Sequence, residues 1–460
     1  MAEASFPDLI QPDQTLLVLG AGPKAIAIAA KRAVLAQLGL PVPRVAVVDY
    51  QGIAANWSGS FGFTDGRQLL GTRPEKDIGF PYASTCWGND KINNAISKKM
   101  LLLSWPSFLV ANDKYSDWID RGRTRPTHNE WSSYIRWVAE RIDLNLITAR
   151  VQQIAMTPDH THWELSCMPV STEEENTAFT LTGDGLVITG PGTPLTIPGQ
   201  PLHHPRVMDG NSFWTRIDEL TRLSTMVTKP LNIGVIGTGE TAAAIVVALA
   251  EIFRSSAFIE VISPYGVLYS RDEGFQENRV FSDPDGRWAK RHGDHQHQAS
   301  WVRLSEEARR EFIRRTDRGV FSLHAIEEIN QAENVRSVLG SARFMQVTDT
   351  NVSVDVEYVG NTERDSYDYV VVARGFDALW FTTLFDHQTC ALLRDATNAF
   401  DARAIERSIS EDLSLRSFKP RLHLPMLAGF AQGPGFPNLS CLGLLSDRIL
   451  SSYSTVANHE

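Results

Sequence analysis

Residues 16–33 read LLVLGAGPKAIAIAAKRA, and the fold turns on how this stretch is parsed. An apolar run, a G-x-G-x-x-A turn at Gly20, Gly22 and Ala25, and a helix-forming tail predict a buried strand that passes through a tight turn into a helix. Such a turn offers bare backbone to a dinucleotide's pyrophosphate and a helix N-terminus for it to sit on. The same letters also describe a strand-to-helix turn that holds no ligand, so the residues further on matter. After the loop LGLPVP at 38–43 comes a second apolar strand, 44–48, ending in Asp49, whose carboxylate can accept hydrogen bonds from a ribose. The fingerprint then recurs: residues 232–250 read NIGVIGTGETAAAIVVALA, with Gly237, Gly239 and Ala242 in the same roles. Here the following strand, 258–262, ends in Ser263-Pro264 with no carboxylate, and Arg271 lies a few residues on. An acid there would repel a 2′-phosphate, so its replacement by Ser favours NADPH over NADH.

A chain of 460 residues suits two or three domains with ample cores. A net charge of −10 and the absence of a sustained basic stripe argue against nucleic acid as a partner. No uninterrupted apolar run reaches the roughly 18 residues of a membrane span. The first residues, MAEASFPDLIQPDQ, have neither a basic nor an apolar leader region, which predicts a soluble, cytoplasmic protein with no stable membrane association. The four cysteines, Cys86, Cys167, Cys390 and Cys441, form no C-x-x-C, so neither a zinc site nor a redox dithiol is expected. Flavin disulfide reductases also carry two such fingerprints, but their chemistry needs neighbouring thiols.

Between and beyond the two fingerprints the signals are weaker. Residues 51–71, with Asn56, Trp57, Phe61 and Phe63, show no period and read as ordered coil lining something planar, or as aromatic packing in a long loop. Residues 72–77, TRPEKD, read as a solvated turn. Helix is expected over 105–109 and 131–141, where tryptophans make an apolar face suited to core packing, and strand over 144–155. Residues 179–191 end the first block, and Pro194, Pro198, Pro201 and Pro205 mark a boundary. His292, His295 and His297 sit in a polar tip without the acidic or thiol partners of a metal site, so no metal is expected. A charged helix over 305–315 follows, then a strand into a turn at 368–376, DYVVVARGF, and an apolar helix from near Leu442.

GAGPKA at 20–25, EKDIGFPY at 75–82, GTGETA at 237–242, EGFQENRVFSDP at 273–284, RTDRGVFS at 315–322, ARGF at 373–376 and GPGFPNLSCLGLLSD at 433–447 follow one another in an order that resembles the flavin-dependent N-hydroxylating monooxygenases. The resemblance runs over nearly the whole chain and is closest to the bacterial L-lysine N6-hydroxylases of mycobactin-type siderophore pathways. It implies an α/β fold of two Rossmann-like dinucleotide-binding domains and a small, mainly helical substrate segment. The FAD-binding domain would take residues 1–215 and 381–460, the NADPH-binding domain 216–277 and 335–380, and the substrate segment 278–334.

By resemblance, Lys76 and Asn278 act as the catalytic pair and, with Asp317, bind substrate. The flavin and nicotinamide cofactors fall to Gly20, Gly22, Pro23, Ala25, Asp49, Asn56, Trp57, Val151, Gly237, Gly239, Glu240, Thr241, Ala242, Ser263, Arg271 and Ser446. Ornithine-acting relatives have a second Asn where this chain has Asp317, which favours lysine over ornithine; Arg374 stands where the family usually has Thr. The implied reaction is reduction of FAD by NADPH, addition of O₂ at flavin C4a, and delivery of the distal oxygen to the substrate amine with water excluded. A lysine ε-amine has a solution pKa of about 10.4, so the site must favour the free base by desolvation or a nearby cation such as Lys76. Alternatives are an ornithine N5- or diamine N-hydroxylase, an oxygenase of carbonyl or sulfur, and a non-catalytic dinucleotide-binding redox sensor. A homo-oligomer is expected.

Overall fold

The computed structural model describes residues 14–170, 177–271, 274–286, 301–398 and 400–454. Its strands in chain order begin with β1 (Thr15–Leu19), β2 (Arg44–Asp49), β3 (Leu146–Met156), β4 (Trp163–Pro169), β5 (Phe179–Gly183), β6 (Gly185–Ile188) and β7 (Val207–Asp209). There follow β8 (Leu231–Ile236), β9 (Ala257–Ser263), β10 (Val335–Leu339), β11 (Ser341–Val347), β12 (Val352–Tyr358), β13 (Asn361–Tyr367), β14 (Tyr369–Val372) and β15 (Arg421–His423).

The first sheet has the order β15-β6-β1-β2-β3-β4-β5. β1 is parallel to both neighbours, Leu16 facing Val45 on one side and Gly185 on the other. A parallel strand covered on both faces needs an unbroken apolar run, which is why LLVL carries no alternation. The helix that follows, Pro23–Gln37, starts on a proline and buries Ala25 through Ala30 without a polar interruption, because it lies between this sheet and the apolar helix Leu442–Ser451. Both ends of the chain therefore build one core.

The second sheet, β10-β9-β8-β14-β7, is parallel throughout. Its core joins Ile233 and Val235 to Ile245, Val246 and Leu249 of the helix Glu240–Phe253. A small antiparallel sheet, β11-β12-β13, covers its other face with Val352, Val354 and Val356, alternate residues of β12. One covered face gives β12 the alternation that β8 lacks.

The boundaries differ from those expected. β7 and the buried Phe213 and Trp214 belong to the second sheet and its core, so that unit draws on residues before 216. Phe321 and Ala325 pack there too, which attaches the end of the 278–334 segment to it. The charged helix runs Glu306–Thr316 with the Ser305 side chain as its cap. His292, His295 and His297 lie outside the described residues. Among the described residues no helix is long and apolar enough to cross a membrane.

Candidate active site

At the carboxyl end of β1, Gly20 has φ +99, and a side chain on it would strike Thr189 Oγ1 at 2.6 Å. Gly22 caps the Pro23–Gln37 helix in extended conformation, and a Cβ built on it meets nothing within 4 Å. The turn is closed on its inner side by packing and open on its outer side, as a phosphate cradle must be. Pro23 and Ala25 are buried and serve to pack helix on strand. Asp49 reaches back to the turn: Oδ2 accepts from Ala21 N at 2.9 Å, and Oδ1 from Gln51 N and Gly52 N at 2.7 and 2.9 Å. A carboxylate has about four acceptor positions, so three bonds to its own backbone leave little for a ribose. Asn56 and Trp57 are half-buried on a short 3-10 turn, Trp57 edge-on to His128. Val151 is buried on β3. Ser446 is placed away from any opening: it is fully buried and its hydroxyl donates to Leu442 O within the helix.

The second cradle repeats the first. Gly237 has φ +144, and a Cβ there would collide with the Ala373 carbonyl; Gly239 faces open space. Ala242 is fully buried beneath the helix, while Glu240 and Thr241 line a cleft. Ser263 is also fully buried, its hydroxyl donating to Val267 O and accepting from Tyr265 N, so it shapes the turn after β9 rather than facing a ribose. Arg271 lines the same cleft. Its Nε donates to Glu277 Oε1 at 2.8 Å and its guanidinium stacks 3.9 Å over Phe281, drawn to the helix Phe275–Ser282 by an acid and a ring.

A cleft of about 1480 Å³ is walled by the 57–72 loop, by Glu240 and Thr241 of the second cradle, and by Asn438 to Ser440. Next to Arg271, which lines this cleft, Lys76 Nζ donates to Asn278 Oδ1 at 2.6 Å, and Arg271 approaches the same oxygen at 3.4 Å. The structure thus brings together the expected pair, which lie far apart in the chain. Residues 72–77, expected as a solvated turn, are in part deeply buried. Asp77 is 1 % exposed, accepting from Tyr82 OH at 2.5 Å, Trp105 N at 2.9 Å and Gly79 N at 3.1 Å. Burial pushes its carboxyl up to about 6. Glu75 Oε2 is buried without a hydrogen-bond partner among the described residues.

Asp317 lines the cleft and accepts from Asn438 Nδ2 at 3.1 Å. Burial raises its carboxyl against the pull of Arg318, Asn438, Arg271 and Lys24. Lys24, inside the first fingerprint, is 7 % exposed and donates to Pro437 O at 2.7 Å, and desolvation lowers its ammonium to about 8. His128 bonds Thr64 Oγ1 at 3.0 Å, and burial pushes its imidazole down to about 4. Sequence reasoning missed Lys24, His128 and Asn438. Only Lys24 carried a signal, as a charge inside the glycine fingerprint, just ahead of the apolar run 25–30.

The family described as L-lysine 6-monooxygenase/L-ornithine 5-monooxygenase matches residues 102–378. The L-lysine N6-monooxygenase MbtG of Mycobacterium tuberculosis is 39% identical over 444 residues, covering 95% of this chain and 94% of its own length. Among solved structures, lysine monooxygenase NbtG from Nocardia farcinica superposes with TM-score 0.77 at 39% identity, covering 95% of this chain and 99% of that one. The ornithine N-hydroxylase KtzI of Kutzneria sp. 744 shares the fold, with TM-score 0.71 at 17% identity over 96% and 99% of the two chains. With two glycine turns of the same build and a relative this similar along nearly its whole length, the chain belongs to the L-lysine 6-monooxygenase/L-ornithine 5-monooxygenase family.

Proposed function

We propose that this protein is an FAD- and NADPH-dependent monooxygenase that hydroxylates the side-chain amine of L-lysine at N6, for hydroxamate siderophore biosynthesis. The observation that carries the reading is the 2.6 Å bond between Lys76 Nζ and Asn278 Oδ1, beside Arg271 at the wall of the cleft. Its support is the 39% identity to MbtG and to NbtG, a lysine monooxygenase with an NADPH domain. In this reading the first cradle and both chain ends hold FAD, the unit built on β8 holds NADPH, and the segment with Asn278 and Asp317 holds the amino acid. The open outer faces of Gly22 and Gly239 suit two pyrophosphates. When bound, the flavin reduced by NADPH supplies the activated oxygen from O₂.

The chain's own residues do the rest. Asn278 orients the substrate, and the Lys76 ammonium beside it disfavours a second cation, so the substrate amine sits as the free base that can attack oxygen. Asp317, where ornithine-acting relatives have Asn, offers an acid to the α-ammonium group and so favours a longer side chain between that group and the flavin. The 57–72 loop and Asn438–Ser440 close the cleft against water. The reading also includes a cytoplasmic location and a homo-oligomer, which size-exclusion with light scattering would check.

The test is NADPH oxidation and hydroxylamine formation by the purified, FAD-loaded protein with L-lysine, L-ornithine and cadaverine. Hydroxylated product with lysine above the other amines is expected. Product with ornithine alone would overturn the substrate, and a protein that takes up no FAD would overturn the whole reading.

A further inference from the structure

Arg374 stands where the family's usual motif has Thr, and its position is sharply defined. β14 lies beside β8, Val372 pairs with Ile236, and Ala373 N donates to Ile236 O at 2.8 Å. The two strands therefore discharge side by side, β8 into Gly237-Thr238-Gly239 and β14 into Ala373-Arg374-Gly375. The backbone N of Arg374 lies 3.4 Å from the point where a Gly237 Cβ would stand. In the order β10-β9-β8-β14-β7 the chain winds outward from β8 on one side through β9 and resumes on the other with β14. The crevice between β8 and β14 is thus the switch point at which open parallel sheets bind ligands.

The Arg374 side chain is exposed and, among the described residues, makes no hydrogen bond or ion pair. The acids nearest in the sheet and chain are otherwise engaged: Asp209 Oδ1 accepts from Asn211 N and Ser212 N, and Asp377 Oδ1 from Leu379 N. A guanidinium at this switch point presents a planar fork that matches two phosphate oxygens.

We propose that Arg374 binds the pyrophosphate of the nicotinamide dinucleotide, alongside the N–H groups of the Gly237–Gly239 turn. The proposal rests on the NADPH reading above. Because the pyrophosphate is common to NADP⁺ and NAD⁺, the contact strengthens both equally, unlike a contact to the 2′-phosphate.

Arg374→Thr and Arg374→Lys, each FAD-loaded, would be titrated with NADP⁺ and NAD⁺ by calorimetry beside the wild type, with FAD content and Tm as folding controls. Both dissociation constants should rise in Arg374→Thr by a common factor of about ten or more, with partial recovery in Arg374→Lys. Wild-type binding with no change in the variants would overturn this contact alone, as would weakening confined to NADP⁺. A wild type that binds neither nucleotide would overturn the NADPH reading and this contact with it.

Discussion

Lys76 and Asn278 share a hydrogen bond, but the roles proposed for them differ, so removing one should not reproduce the loss of the other. In the role proposed for it, Lys76 is the cation that favours a neutral substrate amine, so in Lys76→Ala hydroxylated lysine per NADPH oxidised should fall at least tenfold while NADPH oxidation continues, read as hydrogen peroxide. Asn278→Ala should instead raise the apparent KM for lysine about tenfold, the scale of one lost hydrogen bond to a charged group. An equal effect of the two on KM would contradict separate roles. At the glycines, sequence and geometry agree on what a side chain would do. Gly22 and Gly239 have φ −80 and −100, which any residue adopts, and both face open space. Gly22→Val should therefore keep stability within about 1 kcal/mol yet lose FAD, and Gly239→Val should keep FAD yet lose NADP⁺ binding. FAD content and nucleotide titration on folded protein check the pair. These turns were legible from residues because glycine is demanded locally. The side chains of Ser263 and Arg271 were not, since a turn that uses a hydroxyl and a helix that offers Glu277 and Phe281 are known only once the chain is folded.

At the scale of elements, the helix Pro23–Gln37 is tied to the C-terminal helix by a buried ion pair, Lys31 Nζ to Asp447 Oδ1 at 2.8 Å. Ser84 and the Trp87 ring N–H bond the same carboxylate. Lys31→Met would strand Asp447 and should cost about 3–5 kcal/mol, whereas Lys31→Met with Asp447→Leu should recover much of it. Denaturant unfolding of the three proteins decides this. β15 is tied to the C-terminus in another way. The fully buried His423 donates from Nδ1 to Asp412 O at 2.9 Å and accepts at Nε2 from Tyr453 OH at 2.8 Å. Burial holds its imidazole down at about 4 against an ordinary 6.5, so the folded state favours the neutral ring. Its contribution, on the order of 3 kcal/mol, is whole above about pH 6.5 and is lost as pH falls through about 4. Stability measured from pH 7.5 to 4 should fall less steeply in His423→Gln. Elements of this kind escape a linear reading. β1 and β8 announce themselves by apolar runs before glycines, but three-residue strands such as β7 and β15 exist only through their neighbours.

For the whole molecule, the question is how a cleft between two nucleotide-binding units is kept aligned well enough to exclude water. Two polar contacts reach from the unit built on the first sheet to the segment proposed to hold substrate: Lys76 to Asn278, and Asn438 to Asp317. Asn438 is itself fixed, donating to Pro434 O at 2.9 Å and accepting from Ser440 N at 2.8 Å, while Lys24 holds the next carbonyl, Pro437 O. The C-terminal loop thus relays the position of the first glycine cradle to Asp317. Asn438→Asp would place a second carboxylate against Asp317, whose own carboxyl is already raised by burial, and the two would repel. The loop should then part from the substrate segment and admit water at saturating lysine. The expected result is a several-fold rise in peroxide per NADPH, with FAD content and the NADP⁺ dissociation constant within twofold of wild type. Asn438→Ala, which cuts the tie without adding charge, should fall between the two. If Asn438→Asp stays as tightly coupled as the wild type, the relay through the C-terminal loop is refuted and alignment must come from the Lys76–Asn278 bond alone.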